Sequence, residues 1–190
     1  MLFRSDLLAG QFDGLIWRVT VGTDGAPLVY DSIHPCGCYH LFFPTEAVRA
    51  KPRPAREADA LDETMFSPQS LPRMRAGESL ALHIESGTHY LRRVTHEGSA
   101  ERRLSYEFAE DDALRSLSVP EPVPGAAARK SVFGPDGLLP GSERGERFLF
   151  WPMGVRSAGA MRQWGRHATA FVGERHFDDP NLINSYFEMQ

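Results

Sequence analysis

The sequence predicts a mainly β protein, an antiparallel β-sandwich or β-barrel with long Pro/Gly-rich loops and a short C-terminal helix. Three observations carry that reading. Apolar and polar residues alternate over short runs, turn residues punctuate the runs at the spacing of sandwiches and barrels, and no internal repeat or heptad appears. The 190 residues, 42% of them hydrophobic and 24% charged, are enough to bury one core. A single β domain over 1–190 is therefore expected, with irregular excursions near 45–75 and 119–146.

The first strand starts at Leu15: Leu15, Trp17, Val19 and Val21 fall on one face, Ile16, Arg18 and Thr20 on the other. Gly22-Thr23-Asp24-Gly25 supplies turn chemistry, and Leu28-Val29-Tyr30 returns as the partner of a hairpin. The chain runs on through Asp31-Ser32-Ile33 to an extended apolar segment, Leu41-Phe42-Phe43-Pro44. Prolines 44, 52, 54, 68 and 72 then interrupt it, leaving only Arg56 to Glu63 with the composition of a short helix. Leu80, Leu82 and Ile84 alternate with Ala81, His83 and Glu85. Ser86-Gly87-Thr88 turns the chain, His89 to Thr95 runs back, and Arg103 to Phe108 alternates again, so a three-stranded meander is expected. Five prolines and five glycines between Val119 and Glu146 make a loop of unusual length, in which Gly134-Pro135-Asp136-Gly137 reads as a turn. Phe148 to Trp151 and His167 to Val172 read as strands, with one or two helical turns at Ser157 to Trp164 between them. Asp179-Pro180 opens a C-terminal helix carrying Leu182, Ile183, Tyr186 and Phe187. Trp151, Trp164 and Phe171 are expected in the core.

A net charge of −4 gives no global attraction to nucleic acid or to an anionic membrane. The local basic cluster of Arg92, Arg93, Arg102 and Arg103 is diluted by Glu97 and Glu101. No apolar run has the length of a membrane-spanning helix, and Met1 to Leu8 is too short and polar for a signal peptide, so a cytoplasmic setting is the default. If the chain is part of an exported protein, its cysteines would instead meet an oxidising periplasmic or extracellular compartment. The partners that remain are another protein or further domains of a parent chain.

The chemistry concentrates in His34-Pro35-Cys36-Gly37-Cys38-Tyr39-His40, which holds both cysteines of the chain and two of its seven histidines. Thiolate and imidazole are the ligand types of zinc and copper rather than of magnesium or calcium. In an extended strand, His34, Cys36, Cys38 and His40 would share a face, but at ~3.3 Å per residue the outer two would lie about 20 Å apart. A bend at Pro35 and Gly37 would let the two cysteines bind together with one histidine, and His83, Glu85, His89, His167 and His176 could complete the set. Where one coordination position stays open, Glu85 or Asp31 could serve as a base toward a metal-activated water.

The spacing of Gly77, His83-Ile84-Glu85 and His89 resembles the cupin pattern, in which a glycine precedes a strand of metal ligands. The resemblance covers a small part of the chain. It departs at Glu85, where the family has histidine, and at His89, which occupies the usual acidic position, and no second half-motif follows.

These residues support a metal-binding β domain with His34, Cys36, Cys38, His40, His83 and His89 as candidate ligands, as metalloenzyme or otherwise. A non-catalytic structural or interaction module with packing cysteines stands beside it. A thiol-disulfide exchange protein is the third option, since a disulfide across one residue closes a very small, strained ring. Asp31, Ser32 and His34 have the residue types of a hydrolase triad, but they lie too close in sequence for its usual geometry, and no Gly-x-Ser-x-Gly elbow exists.

Overall fold

The computed structural model describes residues 14–34, 39–52, 65–75, 77–97, 107–118, 129–137, 139–141 and 181–190. The expected helix at Arg56 to Glu63, most of the expected third meander strand, and every element expected between Phe148 and Val172 lie outside the described residues. The chain groups into two compact units: Met1–Gln11 with Arg103–Arg166, and Phe12–Arg102 with His167–Gln190.

The second unit is built on a three-stranded antiparallel sheet of β1 (Ile16–Val21), β2 (Pro27–Ile33) and β3 (Leu41–Pro44), in that spatial order. The turn before β2 forms as its residues dictate. The Gly22 amide donates to the Ala26 carbonyl at 2.8 Å, the Asp24 carboxylate accepts from the Ala26 amide at 3.0 Å, and Gly25 takes φ +79, a left-handed value open to glycine. A register shift between Thr20 and Val21 then sets Arg18 opposite Asp31 and Trp17 opposite Ser32.

Strand alternation gives this sheet two apolar faces, and both are covered. On one, Tyr30, Leu41 and Phe43 pack with Leu71, Leu91 and Val94, with Trp17 stacked on Tyr30 at 5.5 Å between ring centroids. Leu91 and Val94 come from β6 (Leu91–Glu97), which pairs with β5 (Ser79–Ile84) as an antiparallel hairpin. The opposite face carries Val29 and Phe42, packed with Val48, Leu182 and Phe187. Here β4 (Val48–Ala50) pairs with β9 (Phe187–Met189), the strand that follows α1 (Leu182–Tyr186). The C-terminal helix forms as expected except at Phe187, which starts the strand instead. Its partner β4 arises within the proline-broken excursion, a pairing that no local pattern announces.

In the first unit the described residues hold a 3-10 helix (Asp111–Arg115) and a short ladder of β7 (Leu117–Ser118) with β8 (Arg129–Lys130). The Gly134 to Gly137 turn closes with a hydrogen bond of 3.0 Å. Phe108, expected on a strand face, lies outside any strand and is 94% exposed. The acidic run from Glu107 to Asp112 around it offers few side chains that a pleated face could bury.

The described strands thus make a mainly β protein of small antiparallel sheets, none closed on itself, with one short α-helix. Among the described residues no helix is long and apolar enough to cross a membrane.

Ser32 breaks the apolar pattern. It is fully buried on the face of Trp17 and Leu41, and its Oγ has no hydrogen-bond partner among the described residues. A buried hydroxyl left unsatisfied costs about 1–3 kcal/mol. Ser32→Ala is therefore expected to match or exceed wild-type stability in a denaturant titration. A loss above about 1 kcal/mol would show that the hydroxyl is bonded in solution.

Candidate functional site

The histidine-cysteine segment connects β2 to β3 in the chain. Ser32 pairs with Leu41, and His34 follows β2 directly while His40 directly precedes β3. Cys36 and Cys38 lie outside the described residues.

The two histidines leave the hairpin on opposite faces. His40 lies on the face of Phe42, 4.2 Å between ring centroids, and its Nε2 is 3.1 Å from Asp31 Oδ1. His34 lies on the face of the first apolar cluster. Its ring meets Tyr39 edge-on at 4.9 Å, Tyr39 meets Tyr90, and Tyr90 packs against that cluster. His34 Nε2 is 3.1 Å from the His89 carbonyl, an acceptor only, so this nitrogen carries the proton and donates. Both histidines are nearly buried, at 9% and 8% exposed.

Around His40 the sheet assembles a charge network that the sequence reading did not anticipate. Arg18 donates from Nε to Asp31 Oδ1 at 2.7 Å and from Nη2 at 2.5 Å, and Nη2 also lies 3.0 Å from His40 Nε2. The Asp31 side chain is 3% exposed and that of His40 2%, whereas that of Arg18 keeps 25%. Burial pushes the Asp31 carboxyl up, but the His40 hydrogen bond and the charge and hydrogen bonds of Arg18 together outweigh it and hold it below the ordinary carboxylate value. Asp31 is thus committed to Arg18 and His40, an orienting group rather than a base open to water. The sequence predicts the hairpin that holds both residues, but the register that sets Arg18 opposite Asp31 carries no local signal.

The remaining candidates separate from this cluster. His83 Nε2 is 2.8 Å from Thr95 Oγ1, and its side chain is on the hairpin face opposite to Leu80 and Leu82, away from the core. Glu85 accepts from Thr88 Oγ1 at 2.7 Å and is paired with Arg92, which holds its carboxyl below the ordinary value, so it is not poised as a base. His89 is near His34 through its backbone carbonyl. Among the described residues no group of three or more His, Cys, Asp or Glu side chains converges on a point, and the cupin-like spacing assembles no ligand cluster there. His167 and His176 lie outside the described residues. A concave region of about 410 Å³ in the first unit, lined by residues that include Arg115, Ser131 and Phe133, contains none of the predicted ligands.

Two non-glycine residues among those described have positive φ, Tyr39 at 54 and His89 at 55. Both contact His34, one through its ring and the other through its carbonyl. Such backbone costs about 1–3 kcal/mol per residue and persists where packing over-determines it, so the surroundings of His34 are held in place.

No protein family, curated protein or solved structure matches this chain.

Proposed function

We propose that this chain is a metal-binding β protein of the zinc or copper class, with its site at the tip of the β2–β3 hairpin and its donors drawn from His34, Cys36, Cys38 and His40. The observation that carries the reading is the state of the two histidines bracketing the cysteines: both are buried, His34 Nε2 faces the His89 carbonyl, and His40 Nε2 is held between Asp31 Oδ1 and Arg18 Nη2. Contacts of that kind fix the tautomer and orientation of a ligating imidazole and raise its basicity. Because the histidines point to opposite faces, one of them joins the two thiolates, and another donor completes a tetrahedral set. A water in that position would make the site catalytic, with the ion supplying a nucleophile at neutral pH. On this reading the β1–β2–β3 sheet and the β5–β6 hairpin are the two layers of a sandwich, and the loop at one end carries the chemistry.

Protein purified without added metal is expected to hold about one zinc or copper per chain by elemental analysis, with both thiols protected from titration until a chelator is added. A folded, metal-free protein whose two thiols titrate freely would sink the proposal.

A structural or interaction module is the second reading, favoured by the same contacts, since each imidazole already has protein partners. It expects a Cys36→Ser, Cys38→Ser double variant to stay folded and to match the wild type in metal content.

A further inference from the structure

We infer that Gln69 is a latch: its carboxamide stands in for a β-strand at the edge of β6, and it makes the β5–β6 hairpin open together with the three-stranded sheet rather than by itself. The inference does not depend on metal binding.

The latch sits on a segment that runs beside β3. The Phe66 carbonyl accepts from the Phe42 amide at 3.0 Å and the Leu71 amide donates to the Pro44 carbonyl at 2.8 Å, with parallel bridges at Leu41–Phe66 and Thr45–Leu71. Its backbone is thus tied to the sheet. Toward the hairpin it offers a side chain instead. Gln69 Nε2 donates to the Val94 carbonyl at 2.7 Å, and Gln69 Oε1 accepts from the Val94 amide at 3.3 Å. A neighbouring antiparallel strand makes the same pair of bonds to one residue. A carboxamide can replace it because it carries a donor beside an acceptor, as a peptide group does, and the two contacts fix which atom is which. The Val94 side chain is 1% exposed and lies in one apolar cluster with Leu71, two residues beyond Gln69. Val94 is therefore held through its side chain and through both of its backbone polar groups. Apolar contact is non-directional, whereas two hydrogen bonds to one residue fix how the hairpin lies against the segment. Lifting the hairpin away breaks both bonds, and that cost couples its opening to that of the sheet.

The test is residue-resolved hydrogen exchange of the full chain under native conditions and in low denaturant. In the wild type, the Val94 amide and the amides of β2 are expected to exchange through one shared opening with the same denaturant dependence. Gln69→Met keeps the length of the side chain and loses both hydrogen-bonding atoms. It is expected to make Val94 exchange about tenfold faster and to release the hairpin amides ahead of those of β2. Gln69→Glu keeps the shape and the acceptor but has no donor at neutral pH, so the same result is expected. Unchanged exchange at Val94 in both variants would overturn the latch, as would a wild-type hairpin that already exchanges ahead of β2. Equal acceleration at Val94 and throughout β2 would make Gln69 an ordinary stabilising contact, and that also overturns it. Should both variants fail to fold, the wild type decides: Gln69 side-chain amide protons protected from exchange support the latch, and exchange at the rate of free glutamine refutes it.

Discussion

An Asp31→Ala variant is expected to lose about 3 kcal/mol of stability at neutral pH, because it strands the buried His40 and a largely buried Arg18 without their shared acceptor. The figure sits at the low end for a broken buried pair, since the Arg18 side chain keeps 25% exposure and can recover part of its hydration. Replacing the whole network by Arg18→Met, Asp31→Leu and His40→Phe is expected to restore most of that loss, because an apolar set of similar volume carries no uncompensated charge. The pH dependence follows from the depressed carboxyl. A group whose folded pKa lies below its unfolded value stabilises the fold above the unfolded pKa, here 3.8, and that contribution is lost as the pH falls through the folded pKa. The stability gap between wild type and Asp31→Ala should therefore be full at neutral pH and narrow below the ordinary carboxylate value. Urea titrations of both proteins across that range would measure it. A gap that widens on acidification would show that Asp31 is not ionised in the folded protein.

Phe43→Ala should cost about 3–5 kcal/mol. Phe43 is 1% exposed at the centre of the first apolar cluster, on β3, with Trp17 at 5.6 Å between ring centroids. Its removal leaves a cavity among the buried side chains of that cluster, which strand backbones on β2, β3 and β6 hold in place, so the walls can relax only in part. Phe108→Ala, at 94% exposure, provides the contrast and should stay within about 0.5 kcal/mol of wild type. Equal effects at the two positions would mean that Phe43 does not lie in the core.

Much of the fold was legible locally. The alternation in β1, β2 and β5, the Gly22 to Gly25 turn and the C-terminal helix each follow from a few neighbouring residues whose preferences agree. The pairing of β4 with β9 was not legible, because it joins Val48–Ala50 to the last residues of the chain through backbone hydrogen bonds that carry no sequence signature. The site divides in the same way. The residue types in the His34 to His40 segment raised the expectation of soft-metal ligands, while the contacts of Asp31 and Arg18 depended on which strands lie side by side.

The sequence by itself determined which residues could be strands, where the chain turns, and that thiol and imidazole chemistry gathers in one segment, because alternation, turn propensity and ligand type are properties of adjacent residues. Only the tertiary structure decided the register. Carried on from the pairing of Val21 with Pro27, the ladder would set Arg18 opposite Tyr30, beside an apolar core. The one-residue irregularity next to it sets Arg18 opposite Asp31 instead. That slip places Arg18 beside Asp31 and His40, while alternation along β2 and β3 sets His34 on the other face. Local sequence cannot choose between two registers that differ by one residue, since the free energy separating them lies in contacts made far along the chain.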